Sequence, residues 1–257
     1  MKITVLGCGG SGGVPLIGCD CAVCASSDPR NKRTRVSLAV EEGATRILVD
    51  AAPDLRQQFL ANKIATVDAA VITHAHADHV HGIDDLRSVN YHRNAPLDVW
   101  ADPPTIAEIK RRFGYAFDPP RTNEGIWFAP SLVARPIEGS FSVGALGVTP
   151  FAQGHGAYHV PTLGLRFGRF AYSTDVKDMP EAAFDALAGV EVWIVDCLQE
   201  RTNPAHSHLA QTLAWIARVR PKRAILTHMN HTVDYATWKA MLPPGIEPAF
   251  DGMVIEL

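Results

Sequence analysis

Six times along this chain a short apolar run, rich in β-branched residues, stops abruptly at a glycine, an aspartate or a histidine. Ile3–Leu6 runs into Gly7, Ile47–Val49 into Asp50 and Ala69–Thr73 into His74, while Phe170–Thr174 ends at Asp175, Val192–Val195 at Asp196 and Ala224–Thr227 at His228. Runs of this length and composition read as buried strands. Their carboxyl ends repeatedly carry Asp or His, which predicts a sheet edge crowded with potential ligands. Between the runs, Pro53–Asn62, Pro103–Phe113, Pro180–Leu187, His208–Val219 and Tyr235–Leu242 have helical composition, three of them opening on proline near the first turn. Strands outnumber helices and alternate with them unevenly. The expected class is α/β (α+β), with packed sheets and helices outside. Asp118–Pro120 and Pro130–Pro136 read as surface excursions of one domain spanning 1–257.

Composition narrows the function. With 47% hydrophobic and 20% charged residues, the 257-residue chain reads as globular and not as a disordered tail. Its formal charge of −3 disfavours a protein that lives by coating nucleic-acid phosphates. No run approaches the roughly 18–20 apolar residues of a membrane span. The opening MKITVLGCGGSGG lacks the apolar core of a signal peptide, so the cytoplasm is the expected compartment. Of five cysteines, Cys19, Cys21 and Cys24 fall within six residues, a spacing poor for disulfides but suited to a metal. Cys8 and Cys197 lie in apolar sequence and read as small buried hydrophobes. Gly7-x-Gly9-x-x-Gly12 follows a strand, but Pro15 and the cysteines replace the helix that a nucleotide loop requires.

The segment His74-Ala75-His76-Ala77-Asp78-His79 packs four potential ligands into six residues directly after a strand. His74 and His76 alternate, so a loop leaving that strand can turn both imidazoles toward one point. Asp78 and His79 fall on the next turn and can face a second point. Packing does not explain such a set, because burying that many unpaired polar groups is costly. Borderline divalent metals accept imidazole and carboxylate together. His155, Asp175 and His228 supplement the cluster to seven donors, which fits two metals sharing one carboxylate.

These residues resemble the metallo-β-lactamase superfamily. The likeness extends from Thr4–Gly7 through Leu48–Asp50 and the histidine motif to Ser173–Asp175 and Leu226–His228. It implies a four-layer αββα sandwich with a dinuclear site at one edge of the sheets. One metal would be held by His74, His76 and His155, the other by Asp78, His79 and His228, with Asp175 bridging and Asp50 supporting the ligands. Cys19-Asp20-Cys21-Ala22-Val23-Cys24 is similar to the C-x-C-x-x-C segment of PhnP-type phosphodiesterases, and Ala249–Met253 resembles their ending. That likeness implies a small loop, at about 18–25, holding a structural zinc through Cys19, Cys21, Cys24 and His231. It also implies a histidine that assists the leaving group: His206, with His208 as its rival or simply a helix N-terminal residue. Arg87 either contacts a substrate phosphate or pairs with Asp84 or Asp85 on the surface. His81, His92 and His159 read as orienting or packing residues.

The activity implied by the resemblance is hydrolysis of a small cyclic phosphodiester, 5-phosphoribosyl 1,2-cyclic phosphate, by a metal-dependent phosphodiesterase of phosphonate metabolism. Zinc or manganese would serve as the catalytic pair, with Asp78 holding the proton of the attacking water and His206 protonating the departing alkoxide. The expected partner is that small substrate, with no stable nucleic-acid complex, no membrane and a possible homodimer. Apart from a thioesterase, glyoxalase-like or lactamase activity, whose members do not suggest the cysteine cluster, two alternatives stand beside it. One is another hydrolase of the superfamily, acting on RNA 3′ ends or cyclic nucleotides. The other is an accessory biosynthetic protein similar to PQQ biosynthesis protein B.

Overall fold

The computed structural model describes residues 1–118, 132–156 and 160–257. Among them, strands build two seven-stranded mixed sheets. The first contains β1 (Lys2–Gly7), β2 (Ser37–Glu42), β3 (Thr45–Val49), β4 (Ala69–Val71), β5 (Leu97–Ala101) and β6 (Leu132–Pro136). The second contains β7 (Phe141–Val143), β8 (Leu146–His155), β9 (Val160–Phe167), β10 (Phe170–Ser173), β11 (Val192–Asp196), β12 (Arg223–Thr227) and β13 (Ile246–Pro248). The chain then returns to the first sheet as β14 (Val254–Glu256), which pairs antiparallel with β1, Ile3 opposite Ile255. The orders are β14-β1-β2-β3-β4-β5-β6 and β13-β12-β11-β10-β9-β8-β7.

The two-residue periodicity of a strand sorts its side chains between two cores. Ile47 and Val49 of β3 join Ile3, Val5, Phe167 and Tyr172 in a cluster shared by the two sheets. Leu48, between them, turns the other way and joins Leu55, Phe59 and Ile109. That outer layer is formed by α2 (Leu55–Ala61), α4 (Leu86–Arg93) and α5 (Pro103–Phe117). On the second sheet α6 (Glu181–Leu187), α7 (Leu209–Val219) and α8 (Tyr235–Met241) bury Leu187, Ile216 and Trp238. Two short helices, α1 (Ala22–Ala25) and α3 (Ala77–Val80), belong to the cysteine and histidine segments. The result is the expected αββα sandwich.

The five expected helices appear with ends moved by a few residues, most at α5, which runs four residues past Phe113. Pro130–Pro136 needs correction. Leu132–Pro136 is a strand paired with β5, and Pro119, Pro120 and Pro130 lie outside the described residues. β6 is the sheet's edge strand, with Pro136 as its last residue, where a missing N–H breaks no ladder. Among the described residues no helix is long and apolar enough to cross a membrane.

Strand direction places the site. β3 and β4 run parallel, as do β10, β11 and β12, and β8 shares that direction through the antiparallel β9 between them. Carboxyl ends of parallel strands open on one edge, the usual location of sites in such sheets. Asp50, His74, His155, Asp175, Asp196 and His228 all stand at such ends.

Candidate metal centre

Three of these strand-end residues have left-handed backbone: Asp50 at φ 61°, Asp175 at φ 50° and His228 at φ 58°. Such a conformation costs a non-glycine residue about 1–3 kcal/mol and clusters at functional sites. Here it ends each strand sharply and turns the side chain toward the sheet edge. Gly82 serves the same end by close approach. A Cβ there would sit 2.0 Å from the Ala52 carbonyl, so only glycine lets the turn after α3 press against Ala51–Ala52.

The donors converge in two sets. His74, His76, His155 and Asp175 form one, and Asp78, His79, Asp175 and His228 the other, with the donor atoms of each set within 4.8 Å of one another. Asp175 belongs to both and divides its oxygens between them. Its Oδ1 lies 3.9 Å from His74 Nε2 and 3.6 Å from His155 Nε2. Its Oδ2 lies 3.1 Å from His79 Nε2 and 3.4 Å from His228 Nε2. Asp78 Oδ2 is 3.6 Å from His79 Nε2 and 3.5 Å from His228 Nε2. Two donors on one tetrahedral zinc, with bonds of about 2.0–2.1 Å, stand about 3.4 Å apart. The donor spacings match that value, and His74 Nε2 is buried with no hydrogen-bond partner among the described residues. The residues present therefore fit divalent cations.

Hydrogen bonds behind the donors fix which ring nitrogen faces inward. Asp50 accepts from the Thr73 N–H at 2.8 Å and lies 2.8 Å from His79 Nδ1, leaving His79 Nε2 for the centre. Thr73 Oγ1 is 3.1 Å from His74 Nδ1, and the Ala205 carbonyl is 2.9 Å from His155 Nδ1. The electrostatics divide along the same line as the donors. Burial pulls His74 well below the ordinary histidine value, His79 adding to it, and holds His155 down at about 4 against Asp175. Burial acts on His79 and His228 too, but Asp175 and its neighbouring carboxylates override it, raising His79 well above its ordinary value and His228 to about 9. Asp78 and Asp175 lie well below the usual carboxylate range, because His228 and His79 outweigh the cost of burial. The cluster is built to hold positive charge.

A third grouping brings in a residue without a role in the sequence reading. Asp196, His206 and His228 also bring their donor atoms within 4.8 Å. Asp196 is fully buried. Its Oδ2 accepts the N–H groups of Val176 and Ser207, both at 3.2 Å, and stands 3.4 Å from His206 Nδ1. The loop carrying His206 is pinned by Asn203 Oδ1, which accepts from the N–H groups of Ala205 and His206. The His206 ring stacks on His228 with centroids 4.5 Å apart. The signal for Asp196 was present: its strand stops at an aspartate like those ending at Asp50 and Asp175. His208 instead occupies the position before α7, with no side-chain capping bond, and joins none of the donor groups.

Cys19, Cys21 and Cys24 bring their sulfurs within 4.8 Å of one another, beside Val14 and Val23. His231 departs from expectation. Its imidazole is not in that donor group, and it reaches the loop through its backbone, whose carbonyl lies 3.6 Å from Cys21 Sγ. Arg87 is half-exposed and paired with Asp84 at 2.6 Å, the surface alternative of the two considered. Cys8 and Cys197 are fully buried. His81 packs edge-to-face on Phe113, and His159 lies outside the described residues.

A family model for the Beta-lactamase superfamily domain matches residues 45–229. The crystal structure of a diphosphatase from the PhnP family aligns at a TM-score of 0.91 and 33% identity, covering 100% of this chain and 97% of that one. Octanoyltransferase of Porphyromonas gingivalis is 35% identical over 258 residues, 98% of this chain and 51% of that protein. Coenzyme PQQ synthesis protein B of Methylorubrum populi is 33% identical over 123 residues, 42% of this chain and 40% of that protein. The chain thus spans about half, or less, of the length of these curated relatives.

Proposed function

The chain belongs to the Beta-lactamase superfamily and to its PhnP family, and from that membership we propose a dinuclear-metal hydrolase that opens a small cyclic phosphodiester, 5-phosphoribosyl 1,2-cyclic phosphate. The observation that carries the reading is Asp175, with one carboxylate oxygen turned to each donor set. His74, His76 and His155 would hold one cation, Asp78, His79 and His228 the other, and Asp175 both. Zinc or manganese suits such mixed donors. When bound, a cation pair of this kind polarises a phosphoryl oxygen and acidifies water.

The chain's own groups supply proton handling and order. Asp78 has a side chain 11% exposed, against 2% or less for Asp175, His79 and His228, so it is the second-set donor best placed to take a proton from an attacking water. His206, at 13% side-chain exposure, stands at the rim with Nδ1 3.4 Å from Asp196 Oδ2, close enough for ion pairing but not hydrogen-bonded. With Nδ1 on the Asp196 side, Nε2 is the nitrogen left to donate to the departing alkoxide. Asp196 is a positioning residue in this scheme, since it acts through His206.

The PhnP-family relative is called a diphosphatase, which favours cleavage of a diphosphate bond as a second reading. The same donors would serve it. Acyl transfer, suggested by the Porphyromonas relative's name, has less support. The match covers 51% of that protein, so its named activity is not tied to the part this chain aligns with.

Phosphorus NMR of the metal-loaded protein decides between these readings. The sugar cyclic phosphate, a 2′,3′-cyclic nucleotide and a diphosphate diester are incubated in parallel. Rapid opening of the first alone is the expected result. Cleavage of the diphosphate alone moves the substrate to the second reading, and opening of the nucleotide alone moves it to nucleic-acid fragments. No change in any tube overturns phosphoester hydrolysis and favours an accessory role like that of the PQQ synthesis relative.

A further inference from the structure

Among the four histidines whose Nε2 atoms crowd Asp175, three have a ring partner behind them: Asp50 for His79, Thr73 for His74 and the Ala205 carbonyl for His155. His228 does not. Its Nδ1 is buried without a hydrogen-bond partner, 3.8 Å from the nearest oxygen of Asp196. It also stands just past the end of β12, with left-handed backbone. Apart from its stack with His206, the ring is therefore held through the chain on either side of it. Before it lies a strand; after it lies the loop Met229–Val233.

That loop is clamped. Met229 donates its N–H to the Cys8 carbonyl at 3.0 Å, and its own carbonyl accepts from Gly10 at 3.2 Å. Asn230 donates to the Leu198 carbonyl and to Gln199 Oε1. The remaining grip comes from Arg33, whose Nη2 donates to the Val233 carbonyl at 2.5 Å and to the Asn230 carbonyl at 3.3 Å. Arg33 is 1% exposed and is the one fully buried arginine or lysine among the described residues. No carboxylate pairs with it there, and its Nε and Nη1 are buried without partners. Burying a guanidinium this way is expensive, so the contacts it does make are the place to look for its use.

Arg33 is fixed from behind. Its backbone makes a reciprocal pair of hydrogen bonds with Val14, both 2.8 Å, on the stretch that leads to the cysteine loop. On the next turn of that stretch Leu16 donates to Cys24 Sγ at 3.3 Å. Gly9 packs directly against it, since a Cβ there would meet the Arg33 carbonyl at 2.8 Å and its Cβ at 3.1 Å. Arg33 thus joins, by its backbone, the stretch leading to the cysteines and, by its guanidinium, the loop that follows His228. We infer that Arg33 is a positioning residue for the second cation set, Asp78, His79, Asp175 and His228, acting by the two hydrogen bonds of its Nη2 to the carbonyls of Asn230 and Val233. The inference rests on the two-cation reading above.

The test uses the whole chain, stripped of metal and titrated with cobalt(II) against a chelating competitor, with Arg33→Lys and Arg33→Met beside the wild type. Thiolate-to-cobalt absorption reports the cysteine loop, and ligand-field bands report the His/Asp centre. Lysine keeps the charge but is one bond shorter, so its ammonium falls short of the position that Nη2 holds between the two carbonyls. The expected result is a second-step cation affinity at least tenfold weaker in Arg33→Lys and weaker still in Arg33→Met, with the first step and the thiolate band unchanged. Both variants binding the second cation within twofold of wild type overturns the role, as does an equal loss at all sites. If Arg33→Met does not fold, Arg33→Lys alone decides by the same criterion. A wild type that takes only one cation at the His/Asp centre overturns the two-cation reading itself, and this inference with it.

Discussion

The His/Asp centre and the cysteine loop both gather metal-binding side chains, but they are held in different ways. The His/Asp donors stand at the ends of strands in the two sheets or on the turn after one, all but His76 buried, with hydrogen bonds behind three of the rings. The three cysteines sit in a loop with one four-residue helix, and Val14, Val23 and the half-buried Leu16 complete their small apolar cluster. Cys24 is 5% exposed, while Cys19 and Cys21 are half-buried. A site carried by sheets keeps its shape without its ligand. A site carried by a loop draws its order from the ligand, so binding there adds directly to the stability of the fold.

The largest effect should come from breaking the first region at its shared residue. Asp175→Ala removes the carboxylate that serves both donor sets. It should release at least one cation from the His/Asp centre and lower turnover by about a thousandfold or more, the scale of removing a group that stabilises transition-state charge. The cysteine-loop cation should stay. Metal analysis beside turnover checks both halves, and a variant with full metal content and activity would sink the bridging role.

The reciprocal break is smaller. Cys21→Ser removes the sulfur that accepts the Cys24 N–H at 3.5 Å and sits nearest the His231 carbonyl. It should cost one cation and on the order of 1–2 kcal/mol, or about 2–4 °C in a domain of this size. The cations at the His/Asp centre should be retained. Calorimetry with metal analysis reads the outcome, and an unchanged metal count and melting temperature would show that the loop holds no ion.

The same contrast explains what could be read from sequence. Strands buried on both faces announce themselves as uninterrupted apolar runs, and the six read that way carry five of the site's donor or supporting positions at their ends. β8 was not legible, because its exposure alternates and Pro150 and Gly154 interrupt it. β6 was lost to its prolines, which an edge strand tolerates. The donors were legible because histidine and aspartate carry their chemistry in residue type, and H-x-H-x-D-H fixes their spacing. Asp196 was legible as a strand end but not in its role, since its partner His206 arrives on a loop that folds back only in three dimensions. Arg33 had no motif at all. Its meaning depends on carbonyls about 200 positions away. His231 was named only through the family resemblance, and it meets the cysteine loop by its backbone carbonyl.

Arg87 supplies the smallest expected effect and a control for both regions. It was a candidate phosphate contact, yet its guanidinium pairs with Asp84 at 2.6 Å and lies 5.8 Å from the centroid of the Tyr115 ring, whose hydroxyl donates to the same carboxylate. Both partners of the pair are 45% exposed. Exposed pairs three residues apart contribute about 0–1 kcal/mol, and salt screens them further. Arg87→Ala should therefore change the melting temperature by no more than about 1–2 °C and leave KM and kcat within about twofold of wild type. Asp84 would keep Tyr115 as a partner, so no buried charge is exposed by the change. A KM raised tenfold at constant kcat, read from steady-state turnover of the cyclic sugar phosphate, would mean that the pair opens to receive substrate. The cleft would then extend past the His/Asp centre onto α4, and the division between a sheet-built centre and an inert helical flank would fail.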